Sequence, residues 1–420
     1  MKWSSVLLTT LIVALFDSGF KVNSEINYLN HYNVTPSGII GCINDQVPCQ
    51  TMEQYATQPE RYFTNNTCFY FQPGNHQLNS SLKLSNLRNV VFKGLQDSSN
   101  SMVNLFLGPF VNITWEDSWF VQVISINFIL PEKYSFSIVF KQTQLIQLYN
   151  ISVTANGQNT GCSTILSQQS QMSIRDCRFI GIQGLFGAAI MMSESSATTN
   201  GNNTFADCAA SSGGSVYLFN SKLTLNGTNV FLNNRVAAHV EVLYEFLGLL
   251  KTRYASCNHG TGNYDLTEIF YYMDKAHGGA ILCSNCTLQI NEYSRFKSNY
   301  ADSGGAVAGL HGRISIHDST LFDGNSADVG GAMYLEDINL TISGNVSLVN
   351  NSAVYNGGAL HISETNISFN MDITSKVSEI LVDESSFMVV FRQNKASQVG
   401  GAIESRANNV LIFTGTVKFD

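Results

Sequence analysis

Between Phe296 and Leu360 the chain repeats itself three times. A bulky apolar residue is followed three positions on by Asn, then Ala, then a Gly-Gly-Ala-aliphatic run. Phe296 leads to Asn299 and Gly304-Gly305-Ala306-Val307, Phe322 to Asn325 and Gly330-Gly331-Ala332-Met333, and Leu348 to Asn351 and Gly357-Gly358-Ala359-Leu360. Phe322 follows Phe296 at the same interval at which Leu348 follows Phe322. Self-similarity at a fixed period of about 26 residues means stacked supersecondary units, each unable to bury its apolar face alone.

The period extends well beyond these three copies. Phe128, Val153, Phe179, Phe205 and Phe231 follow one another at the same step, one position short only between Phe128 and Val153. Gly187-Ala-Ala-Ile190 and Gly213-Gly-Ser-Val216 are degenerate forms of the glycine signature, which recurs intact at Gly278 and Gly400. Two intervals are too long: Phe231 to Phe296 spans two and a half periods, and Leu348 to Phe391 more than one and a half. They place insertions at about 240–276 and 370–386. The first contains EVLYEFLGLLKTRY, which has the pattern of an amphipathic helix and is either a functional loop or a mis-spliced segment. The second is polar and reads as a surface loop.

Each period holds three short runs of alternating apolar residues, for example Gly331–Leu335, Asn339–Ile342 and Ser347-Leu348. Alternation with period 2 is the mark of strands, and periodicity of the helical kind is absent. Three strands plus corners fill one coil, and each strand pairs in parallel with its equivalent one coil away. The fold expected is an all-β parallel β-helix with about 26 residues per coil. The Gly pair turns the chain sharply, Ala fills a narrow corner, and the Phe or Leu stacks on itself from coil to coil. Asn234, Asn299, Asn325, Asn351 and Asn394 are expected to form an internal amide ladder, with Cys208 in the same place one coil earlier.

Residues 1–24 have the features of a signal peptide: Lys2, an apolar core from Val6 to Phe16, and a small-residue cleavage site at Val22-Asn23-Ser24. Residues 25–90 do not repeat and are assigned to an N-terminal cap, with a short helix within Cys49–Tyr55 and a strand at Cys68–Phe71. Residues 91–420 form the β-helix. Phe419-Asp420 has the look of another repeat just beginning, so the chain is expected to continue beyond Asp420 in a longer protein. Nine cysteines in an exported chain should mostly pair. Cys42, Cys49 and Cys68 in the cap, Cys162 with Cys177, and Cys283 with Cys286 are the candidates, leaving one odd thiol. Twelve Asn-x-Ser/Thr sequons fit secretion, or display at the cell surface if a part beyond Asp420 carries an anchor.

The alternating F-x-x-N and G-G-A-[ILVM] motifs, clearest from Phe179 to Asp420, resemble the repeats of chlamydial polymorphic membrane proteins. They are also similar to those of secreted animal proteins that are numerous in sponges. The resemblance implies a right-handed helix of the pectin-lyase-like kind, used by the bacterial relatives as an adhesive passenger on a membrane barrel. No segment of this sequence corresponds to that barrel.

Charged residues make up 13% of the chain and the formal charge is −8, which argues against nucleic acid and anionic membranes as partners. No later segment has the run of about 18 apolar residues that membrane insertion needs. Asp302 and Asp328 are one period apart and should stack as a carboxylate pair, though Asp before Gly-Gly is ordinary corner chemistry. His311, His317 and His361 lie in strand regions, with His311 and His361 two coils apart. Nucleophile elbows, phosphate loops and zinc motifs are absent, and Cys283-Ser-Asn-Cys286 has no second pair at zinc spacing. The sequence assigns no catalytic, cofactor-binding or metal-binding residue. It predicts a non-enzymatic surface for adhesion to an extracellular glycan or protein ligand, with a polysaccharide lyase or hydrolase of the same fold as the alternative.

Overall fold

The computed structural model describes residues 30–36, 49–96, 102–132, 136–155, 161–236, 277–317, 319–370, 388–406, 410–413 and 416–420. They form an all-β parallel solenoid. Met333 pairs with Val307 on one side and Leu360 on the other, so each strand lies between its equivalents in neighbouring coils.

Among the described residues, coils from Ala209 onward carry strands on four sides where the sequence suggests three, and the coils before it show no strand on the fourth side. In the coil from Gly330, face one is Met333–Glu336, face two Ile338–Ser343, face three Val346–Val349 and face four Ser352–Asn356. Faces one and two are a single strand, Met333–Ser343, bent at Asp337. Every corner contains one residue in the left-handed region: Gly330 (φ 68°), Asp337 (51°), Gly344 (79°) and Asn350 (56°). One coil earlier the same corners are Gly304, His311, Ser319 and Gly324. A single left-handed residue reverses the pleat and turns the chain, and Gly, Asn and Asp tolerate that conformation best. Face four escapes sequence reading because its strands include two-residue pieces such as Ala209–Ala210 and Lys395–Ala396, too short to display alternation.

The glycine pair has two separate causes. Gly330 supplies a positive φ, whereas Gly331 is needed for space: a Cβ there would lie 2.2 Å from the Gly358 carbonyl oxygen of the next coil.

Inside, Phe205, Phe231, Phe296 and Phe322 stack nearly parallel at 4.8 Å between ring centroids, the spacing of neighbouring strands. Beside them runs the amide ladder. Asn234 Nδ2 donates to Asn299 Oδ1 (3.0 Å), Asn299 to Asn325 (2.9 Å), Asn325 to Asn351 (2.9 Å) and Asn351 to Asn394 (3.0 Å). The second N–H of each goes to a carbonyl of the preceding coil, such as Phe231 O for Asn299. Each Oδ1 also accepts a backbone N–H, so every donor and acceptor of the buried amide is used. Cys208 occupies the ladder's place one coil earlier, its N–H donating to Asn234 Oδ1.

The long sequence intervals leave the stack in register. Val216–Phe219 pairs directly with Ile281–Ser284, and Phe231 with Phe296. Between Val236, in register with Ala301, and His277, in register with Ser303, other coils need one residue. The first insertion therefore leaves the coil on face four, at the position of Asp302. The second leaves between Asn370, at the end of face two, and Val389, which pairs with Val346 on face three. The amphipathic helix expected within 240–276, the loop residues 371–386 and the signal peptide at 1–24 lie outside the described residues.

Coil pairing also runs through the segment assigned to the cap: Asn30–Thr35 pairs with Thr67–Phe71, which pairs with Val90–Gly94. The run Cys49–Tyr55 opens as a strand, and its helix spans Met52–Ala56 because Thr51 and Gln54 form a capping box. Tyr55 of that helix packs against Tyr32, Tyr62 and Phe69.

Cys283 and Cys286 form a disulfide across the corner between faces one and two, in mid-stack and not in the N-terminal segment. Cys49 and Cys162 are disulfide-bonded as well. The expected Cys162–Cys177 bridge is not made: Cys177, like Cys68 and Cys208, is a buried free thiol. Cys177 faces inward and donates to the carbonyl of Leu148 or Arg175, and burial pushes its pKa, like that of Cys208, up to about 12. More than one thiol is thus unpaired, because interior positions accept cysteine as a small apolar residue.

Candidate functional site

Two outward-facing clusters carry the polar chemistry of the described residues. The first lies on face four and contains the carboxylates singled out from sequence. Ala301, Ala327 and Ala353 register on one another, which places Asp302 and Asp328 on successive coils. The next coil carries a bulge, so two residues, Val354 and Tyr355, stand opposite Asp328. Tyr300 and Tyr355 are 46% and 45% exposed, less open than Tyr293 and Trp119 elsewhere on the surface, and Val354 and Val399 are exposed as well. The Tyr300 hydroxyl titrates above its ordinary value, first through burial and then through the charges of Asp328 and Asp302. The register sets Tyr300 and Asp302 on one strand beside Asp328 on the next.

The second cluster lies on face one and was not anticipated. The residue after the signature's aliphatic position points outward, giving one column: Met191, Tyr217, Leu282, Ala308, Tyr334, His361 and Glu404. Its apolar members are buried beneath a small second core that includes Phe136, Leu185 and Phe186. The column then turns polar. Tyr334 and His361 stack at 5.1 Å, His361 Nδ1 meets Glu404 Oε2, and Glu404 Oε1 accepts from Arg406 Nε at 2.5 Å. The side chains of His361 and Glu404 are each only 6% exposed. Burial holds the His361 pKa below its ordinary 6.5 against the opposing pull of Glu404. Tyr334 donates to Glu336 (2.8 Å), and burial followed by that carboxylate raises its pKa. Glu404 Oε1 accepts from Arg406 and Oε2 lies against His361 without a hydrogen bond, so a substrate would have to displace one of these side chains to reach the carboxylate.

His277 packs on the Tyr334 ring at 5.5 Å, whereas the other two histidines singled out from the sequence are apart. His311 sits at the corner between faces one and two, in register with Asp337, and bonds its Oδ2 at 3.0 Å. It does not share His361's phase, which is that of Tyr334. His317 meets Ser343 Oγ at 2.5 Å near the next corner. Among the described residues no three His, Cys, Asp or Glu side chains are grouped to hold a metal ion, and no helix is long and apolar enough to cross a membrane. Comparison with protein-family models, with curated proteins and with solved structures finds no match.

Proposed function

We propose that the chain is a secreted recognition protein, a relative of the repeat-bearing adhesins its motifs resemble, which presents face four to an extracellular ligand without transforming it. The observation that carries this reading is the row of Tyr300, Asp302, Asp328 and Tyr355. Exposed aromatic rings beside carboxylates suit a glycan: sugar C–H faces lie on the rings and hydroxyls donate to the carboxylates. A rigid stack of coils fixes such a row without any induced fit.

A protein ligand is the neighbouring possibility, and arrays of glycans and of extracellular proteins separate the two. Polysaccharide cleavage is the competing reading, and the Glu404, His361 and Arg406 cluster favours it because acid, base and cation lie together. The closed pairing of Glu404 weighs against it. A glycan-array screen with a product assay on every hit tests the proposal. Binding that Tyr300→Ala and Tyr355→Ala abolish, with no product, supports recognition; shortened chains lost with Glu404→Gln would overturn it.

A further inference from the structure

The sequons are not scattered over this fold. Of the buried asparagines, Asn203, Asn229, Asn234, Asn299, Asn325, Asn351 and Asn356, none begins a sequon. For the ladder the reason is structural. The residue two places after Asn299, Asn325 and Asn351 is the inward Ala301, Ala327 or Ala353, where a sequon needs Ser or Thr.

The exposed sequon asparagines occupy one half of the coil's perimeter. Asn65 and Asn285 lie at the turn into face two, and Asn339 points outward from face two. Asn150, Asn202 and Asn345 surround the turn into face three, while Asn79 and Asn350 follow face-three strands. No sequon asparagine lies within a strand of face one or face four among the described residues.

The corner geometry fits attachment. Asn150, Asn285 and Asn350 are left-handed corner residues, and each Nδ2 donates one hydrogen to the preceding coil. The acceptors are Ser125 Oγ (3.0 Å), Asn220 Oδ1 (2.8 Å) and Asp323 Oδ1 (3.2 Å). An amide nitrogen has two hydrogens, and an N-linked glycan replaces one. One hydrogen thus remains for the corner bond after glycosylation. By contrast Asn33, Asn112 and Asn226 are half-buried; Asn112 Oδ1 accepts from Thr114 and Asn226 Oδ1 from Asn291.

We propose that N-glycans sit on faces two and three and their corners, at Asn65, Asn79, Asn150, Asn202, Asn285, Asn339, Asn345 and Asn350, and leave faces one and four bare. This rests on the secretory reading above. Both the Tyr300–Tyr355 row and the His361–Glu404 pair then lie on the unglycosylated side.

The test is site-by-site occupancy. The full chain is secreted from a eukaryotic host, and each sequon is scored by mass spectrometry after enzymatic deglycosylation in heavy-oxygen water. The expected result is occupancy in most molecules at the exposed sites and none at Asn33, Asn112 or Asn226. Secreted protein glycosylated at Asn112, or mainly at the half-buried sites, overturns the placement and leaves secretion standing. Protein retained in the cell without any glycan overturns both.

Discussion

Asn234 and Asn299 are 65 residues apart in the chain, yet Nδ2 of the first donates to Oδ1 of the second at 3.0 Å. Asn299 and Asn325, only 26 apart, make the same bond at 2.9 Å. The ladder counts coils and not residues. Its strength comes from completeness, since a buried amide with every group paired is favourable and one with an orphan is costly.

Asn299→Leu breaks the ladder at its centre. The Asn234 N–H groups, Phe231 O and Asn325 Oδ1 lose a partner in the core. The expected cost is about 3 kcal/mol, from several buried polar groups left unpaired. Chemical denaturation measures it; a loss within about 0.5 kcal/mol of zero, the range of ordinary surface changes, would show that the ladder is incidental.

Two glycines should respond oppositely. A Cβ at Gly305 would lie 2.2 Å from Gly331 O, so Gly305→Ala must push two coils apart and cost about 2 kcal/mol or more. At Gly324 (φ 63°) the nearest atom to a Cβ is 3.9 Å away, and corresponding corners hold Asn233 and Asn350. Gly324→Asn should change stability by less than about 0.5 kcal/mol. Thermal melts of both variants decide the matter.

Residues 237–276 stand where other coils use one residue. Replacing all of them with a single Asp, as at Asp302, should leave far-ultraviolet dichroism and cooperative unfolding intact, because Phe231 and Phe296 already pair. An unfolded product would show that the stack depends on the insertion.

Acidification should weaken the fold through His361. Its folded pKa lies below 6.5, so the unfolded chain binds the proton more readily. Stability is complete above about pH 6.5 and falls as pH drops through that value toward the folded pKa. The groups facing the ring are Glu404, Arg406, Glu336 and Tyr334. Buried His76, its pKa also lowered by burial, adds a slope of the same sign. Urea midpoints at pH 7.5 and 5.5 should converge in His361→Gln relative to the unaltered chain; an unchanged gap would assign the slope elsewhere.

Much of this fold was legible because its interior repeats residue types. Phe at one position and Asn three later recur since each must match its own copy one coil away. Face four was hidden, since a strand as short as Arg235–Val236 has no period to display. The Cys162–Cys177 pairing failed because spacing alone does not reveal that Cys177 points inward beside Phe179. Asp302 and Asp328 were found by counting. The Tyr334–His361–Glu404 column was missed because outward residues are free to differ from coil to coil, and only aligning the residue after each Gly-Gly-Ala-aliphatic run would have revealed it.

Recognition without turnover on face four is the proposal on which the functional reading depends. The most direct measurement is glycan-array binding by the unaltered chain and by Tyr300→Ala/Tyr355→Ala, with each bound glycan recovered and sized. The expected result is a defined set of hits, lost in the double variant, and glycans returned intact. Hits that survive the double substitution, or glycans returned shortened, would contradict it.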